Sequence, residues 1–271
     1  MRYQPVSCLL LFTTALFFMI PAIADAQVGL SVSPPRVYYS LNPGETGSQK
    51  VLVSNVSREH PLHLSLTFGD WQYDEYGNNL MFPPDSLDNS CANWLSVAEG
   101  AYMTLEPGES REIDLTMNVP VELDGEANVQ TAMLYVTQMN PVDGVDAQGA
   151  AIRINVRQGI KIYRKGIAPE VKRVEIENLA YDKENNSLVL TFSNNGNIWI
   201  NGRVDTSLFN QATGKELNLE PSDFYTMPGD RRIMRVPFRE EMEKGSYTAT
   251  VMIDYGDVTT IEAAELQFNH E

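Results

Sequence analysis

Between Val28 and Phe268 no segment sustains a helical period, and short runs of alternating apolar residues are instead separated by clusters of Gly, Pro, Asn and Asp. Alternation at period two puts one row of side chains into a core and the other into solvent, which constrains the chain to half-buried strands and an all-β sandwich. In the first half the pattern predicts strands at Val28 to Val32, Val37 to Leu41, Gln49 to Val56, Leu62 to Phe68, Ala101 to Leu105, Glu112 to Val119, Gln130 to Met139 and Ala150 to Tyr163. Asn42-Pro43-Gly44-Glu45 and Glu106-Pro107-Gly108-Glu109 read as turns, with Pro preset for the bend and Gly free to take positive φ. The Pro34-Pro35 pair cannot donate to a ladder, so the first strand is expected to switch sheets there. Trp71 to Asn93, rich in Asp, Asn, Pro and aromatic residues, reads as a long loop with a small hairpin turning at Tyr76-Gly77-Asn78-Asn79.

Lys165-Gly166-Ile167-Ala168-Pro169 has the character of a linker, and about seven further strands are predicted after it, from Val171 to Glu177 through Val258 to Phe268. Each half therefore carries one immunoglobulin-like complement of strands. The expected organisation is a leader at 1–26, a first immunoglobulin-like domain at 27–165 and a second at 166–271.

The leader is inferred from the basic Arg2, the apolar run Val6 to Ile20, and Ala24-Asp25-Ala26, which offers small residues at a signal-peptidase site. The apolar run falls short of the roughly 20 residues a spanning helix needs. Gln27 is then the expected first residue of an exported chain. Cys8 leaves with the leader, so Cys91 remains alone and no internal disulfide is expected. Nothing cationic adjoins Cys91 in sequence to lower its pKa, which favours a structural thiol over a reactive one. The formal net charge of -16 is unchanged by loss of the leader, in which Arg2 and Asp25 cancel. Such acidity disfavours nucleic acid as a partner, because that affinity rests on Lys and Arg neutralising phosphates.

Residues that would carry chemistry are sparse. His60 and His63 flank a strand start without a cysteine pair or a third ligand, and His270 stands apart, so no metal site is expected. No Gly-x-Ser-x-Gly elbow and no Gly-rich phosphate loop occurs, and the carboxylates fall in turns and on alternating strand positions. No catalytic residue and no cofactor is expected, and the chain reads as a binding protein, not an enzyme.

One segment stands apart: Ile152-Arg153-Ile154-Asn155-Val156-Arg157 alternates strictly and continues through Ile160, Lys161 and Ile162. It fits an ordinary final strand with its apolar face in the core. It also fits an edge strand kept apolar so that another polypeptide can pair with it, an arrangement proteins usually avoid.

With Ser33-Pro34-Pro35-Arg36-Val37 and Gly159-Ile160-Lys161-Ile162-Tyr163-Arg164 in view, the first half resembles the periplasmic chaperones of the chaperone-usher pilus pathway, the PapD-like family. Ala132-Met133-Leu134-Tyr135-Val136, followed by Met139-Asn140-Pro141, is similar to the preceding strand of that family, and the short Asn140 to Gly149 segment is similar to its short-loop members. The resemblance implies two immunoglobulin-like domains set at an angle with a cleft between them. It implies that Arg36 and Lys161 hold the C-terminal carboxylate of a client subunit, and that Ile152, Ile154 and Val156 are donated into it. Two cations can grip a terminal carboxylate by charge-assisted hydrogen bonds and so fix the register of an added strand. At about 25 cal/mol per Å² of apolar area, three branched side chains contribute several kcal/mol before ordering costs. The implied partners are pilus or surface-fibre subunits, with an outer-membrane usher and self-association through the edge strand as further expectations, and the implied location is the periplasm. The alternative is a cell-envelope adhesion or scaffold protein built of immunoglobulin-like domains. The second half is similar to the family in strand pattern alone.

Overall fold

The computed structural model describes residues 29–123, 128–145, 149–238, 242–257 and 259–270. The expected leader and Gln27 lie outside the described residues. Alternation governs the first sandwich as expected. Its strands are β1 (Leu30–Ser33), β2 (Arg36–Ser40), β3 (Thr46–Asn55), β4 (Leu62–Tyr73), β5 (Asn79–Phe82), β6 (Leu95–Val97), β7 (Tyr102–Leu105), β8 (Ser110–Asn118) and β9 (Val129–Gln138). They are followed by β10 (Val142–Val145), β11 (Ala151–Ile154) and β12 (Arg157–Lys165). One sheet runs β1-β3-β8-β6 and the other β2-β12-β9-β4-β5, with β7 also on β4. Inward residues of both sheets, among them Val51, Val53, Leu64, Ile113, Leu134 and Ile162, form one buried core.

β1 and β2 belong to different sheets, so the chain crosses over at Pro34-Pro35 as the missing donors require. Past the crossing, β2 runs parallel to β12, from Arg36 opposite Lys161 to Ser40 opposite Lys165. The buried Arg164 guanidinium locks this corner by donating to the Leu41 carbonyl and, at 2.7 Å, to Gln130 Oε1.

The irregular Trp71 to Asn93 stretch contains the expected hairpin. β4 runs on to Tyr73, the Asp74 carboxylate accepts the N–H groups of Tyr76 and Asn78, and the chain returns as β5. The loop after β5 is tied down by the buried Asp70 carboxylate, which accepts the N–H groups of Ser86 and Leu87 and the Ser90 hydroxyl. Cys91 is fully buried beside it, its N–H bonded to the Thr131 carbonyl, and burial pushes its thiol pKa up. The thiol is structural.

The expectation of one continuous strand from Ala150 to Tyr163 needs correction. β11 and β12 are separate, and the segment before β11 holds β10, its antiparallel partner, where a loop was expected. The cause lies on the facing chain. The β9–β12 ladder closes with Gln138 N–H on the Val156 carbonyl, after which Met139 N–H turns to the His63 carbonyl and Pro141 has no N–H to offer. Asn140 pins this diversion by accepting from His63 N–H and donating to the Pro61 carbonyl, each at 2.8 Å. Pairing resumes between Val142 and Ile154, so β10 and β11 form a ribbon beyond the sandwich.

The second sandwich comprises β13 (Val174–Asp182), β14 (Ser187–Asn194), β15 (Ile200–Asn210), β16 (Glu216–Asn218), β17 (Ser222–Thr226), β18 (Arg231–Pro237), β19 (Gly245–Asp254) and β20 (Glu262–His270). Its sheets are β13-β14-β18 and β16-β15-β19-β20, with β17 on β15, around a core that includes Leu190, Phe192, Phe224 and Val251. The short β16 was not anticipated, and Val258, the expected start of the last strand, lies outside the described residues. The chain is therefore all-β, with two immunoglobulin-like sandwiches in tandem.

A third buried cluster joins them. Trp71, Val129, Met133, Tyr135 and Tyr163 of the first sandwich pack with Ile198 and Met227 of the second. The β4–β5 turn reaches across this seam: Ile233 N–H donates to the Glu75 carbonyl at 2.7 Å, and Arg231 bridges Glu75 and Glu177 at 2.7 Å each. Arg232 donates to the Asp74 carbonyl and lies so close to Gly77 that a Cβ there would overlap its guanidinium.

Candidate functional site

Arg36 and Lys161 are directly paired in the parallel β2–β12 register, so their side chains leave the same face of the sheet. That face also carries Trp71 and Tyr73 from β4 and Tyr38 from β2, and the second sandwich adds Trp199 and Tyr225. The sequence pattern thus brings both cations into the groove between the sandwiches.

Their surroundings differ. The Lys161 ammonium sits 3.9 Å from the Trp71 ring centroid and 4.0 Å from that of Tyr73, and donates to the Tyr73 hydroxyl at 2.9 Å and to Asn79 Oδ1 at 2.6 Å. Burial, reinforced by the charge of Arg36 and opposed by Asp230, pushes its pKa down to about 7. The Arg36 guanidinium lies 4.2 Å over the Tyr225 ring, and its Nε is buried without a hydrogen-bond partner. Among the described residues no carboxylate pairs with either cation. Two adjacent like charges, half removed from water and aimed into one groove, favour an anion between them.

Ile152, Ile154 and Val156 share a parity with Ile160 and Ile162. Ile162 and Ile160 are buried, and Val156 packs partly against the same core. Beyond the kink, Ile152 and Ile154 are each 37% exposed on the ribbon. One row of aliphatic side chains thus starts inside the sandwich and runs out of it. β12 is covered by β2 from Lys161 onward, while among the described residues Arg157 to Ile160 have a partner on the β9 side alone. β11 likewise pairs with β10 on one side. The open edge and the emerging row lie on the same ten residues.

Sequence reasoning missed the aromatic floor of the groove. Tyr38, Tyr163 and Trp199 stand 5.1 to 5.4 Å apart, and Trp71 meets Tyr163 edge-on at 5.4 Å. A signal was available in Ile198-Trp199-Ile200, where three apolar residues in succession break the alternation and require burial on both faces. Met133 and Tyr135 give the same sign within Ala132-Met133-Leu134-Tyr135-Val136.

No family model matches this chain, and no curated protein matches it. Solved structures do. The crystal structure of the class 5 fimbriae chaperone CfaA is 13% identical at a TM-score of 0.46, spanning 88% of this chain and 98% of that one. The chaperone SafB of Salmonella enterica, solved with the SafA pilin, is likewise 13% identical at 0.46, over 88% and 96%. The Escherichia coli chaperone DraB is 16% identical at 0.44, over 88% and 99%.

Proposed function

We propose that this chain is a periplasmic chaperone for pilus or surface-fibre subunits, and that it holds them by lending a strand. The observation that carries this reading is the coincidence along β11 and the start of β12 of an edge unpartnered among the described residues, an aliphatic row leaving the core, and a cation pair where the chain's own pairing begins. A client strand added along Ala151 to Ile160 receives Ile152, Ile154 and Val156 into its unfilled groove. Its last carboxylate lies between Arg36 and Lys161. The cations set where the strand ends, and the aliphatic row supplies the burial. No covalent step is involved. The same open edge accepts a second copy of the chain when no client is present, and an outer-membrane usher is the acceptor expected after it.

Periplasmic co-expression with a fibre subunit that lacks its own final strand tests the reading. The wild type should yield a one-to-one complex, and Lys161→Ala and Ile154→Asp should each lose it while remaining folded by circular dichroism. Undiminished recovery with both variants would overturn the proposal in favour of an envelope scaffold.

A further inference from the structure

Beside the two cations lies a pocket of about 170 Å³, bounded by Tyr38, Tyr73, Tyr163, Trp199, Asn201 and Tyr225. It shares a wall with each cation. Tyr73 bonds the Lys161 ammonium, and the ring of Tyr225 lies beneath the Arg36 guanidinium. Its volume is well below the about 300 Å³ at which pockets for whole small molecules begin, and suits one side chain. The walls are mainly ring faces, and no carboxylate lines them. Tyr38 stands at the mouth, 47% exposed, while Tyr163 at the floor is buried.

We propose that this pocket receives the side chain of the last residue of the bound polypeptide and selects an aromatic or large aliphatic one. This rests on the reading above, in which the terminal carboxylate lies between Arg36 and Lys161. From that position the side chain on the same α-carbon has the neighbouring ring-lined space within reach. Tyr38, Tyr163 and Trp199 pack on one another with centroids 5.1 to 5.4 Å apart, and the ring surface they leave toward the pocket can take one more aromatic or aliphatic group. A basic side chain is repelled by the two cations, and glycine leaves the pocket to water. The selection is made by both sandwiches together, because Trp199, Asn201 and Tyr225 come from the second. This gives the second sandwich a recognition role that the first cannot fill alone.

The test uses the purified full chain and fluorescein-labelled peptides of one alternating apolar sequence, ending in Phe, Leu, Gly or Lys and made as free acids and as amides. Anisotropy titration should rank Phe and Leu at least roughly tenfold tighter than Gly, with Lys weakest, among the free acids. Asn201→Trp fills the pocket from its rim, beside Tyr225 on the paired strand, and leaves both cations in place. It should abolish the preference for Phe and leave the Gly-ended acid unchanged. Tyr38→Ala, at the exposed mouth, should reduce the same preference and serves if Asn201→Trp folds poorly. Equal binding of Phe and Gly acids, with amides weaker than acids, would overturn the pocket assignment and leave the carboxylate anchor standing. Equal binding of acids and amides would overturn the anchor, and the pocket assignment with it.

Discussion

The two sandwiches follow one plan and finish it differently. In the second, the last strand β20 pairs with β19 along its whole length, and its inward Leu266 and Phe268 pack against their own core. In the first, the alternation of β12 continues back through β11 beyond the sandwich, so that Ile152 and Ile154 stand exposed outside the core cluster. The same period-two pattern thus ends inside the core of one domain and outside the core of the other. What separates them is the facing strand: β19 remains regular to Asp254, whereas the chain after β9 is diverted at Met139 and Pro141.

The sharpest way to break this comparison is within a single row. Ile162→Ala, fully buried, should cost about 2 to 5 kcal/mol in urea unfolding, whereas Ile154→Ala on the ribbon should stay within about 0.5 kcal/mol while weakening client binding. Equal costs at the two positions would mean that the row ends inside the sandwich. The second domain supplies the next contrast, since Phe268→Ala, at the position of a closed last strand, should lose about 2 kcal/mol by the same measurement. A neutral result there would put both last strands in one class.

The seam offers a smaller effect. Gly77 has φ of 79° to 85° in common with several turn glycines here, its own being 85°, and its Cα faces Arg232. Gly77→Ala should destabilise by about 1 kcal/mol and loosen the two sandwiches, which small-angle scattering would detect as a broader shape distribution.

The smallest effect on binding concerns pH. Burial holds the Lys161 pKa near 7, below the ordinary 10.5. Between those values the unfolded chain binds more protons than the folded one, so the contribution of Lys161 to stability rises with pH across that window. Binding of a terminal carboxylate should move oppositely and fall several-fold as pH rises through about 7. Lys161→Arg should flatten the binding profile, and an unchanged slope in that variant would assign the titration elsewhere.

Much of this was legible in the sequence because burial and period coincide. Alternation located the main strands, Pro34-Pro35 marked the crossing between sheets, and Arg36 and Lys161 proved to be paired neighbours. What escaped was set by contacts distant in the chain. β6 and β16 are too short to show a period, and the break between β11 and β12 is imposed by Asn140 bonding to Pro61 and His63. The groove's aromatic floor depends on how the second sandwich meets the first, and the doubled apolar faces at Met133, Tyr135 and Trp199 were its one trace in the sequence.

The seam itself bears on what any association costs. Main chain bonds main chain across it, from Ile233 to Glu75, with Arg232 lodged against the glycine of the same turn. Walls joined in this way do not have to be brought together when something enters between them. The loss of freedom that two hinged bodies would suffer on closing has already been met in folding, and a partner's contacts appear more fully as affinity. The groove's two walls are therefore already held together by these contacts in the folded chain, before anything enters between them.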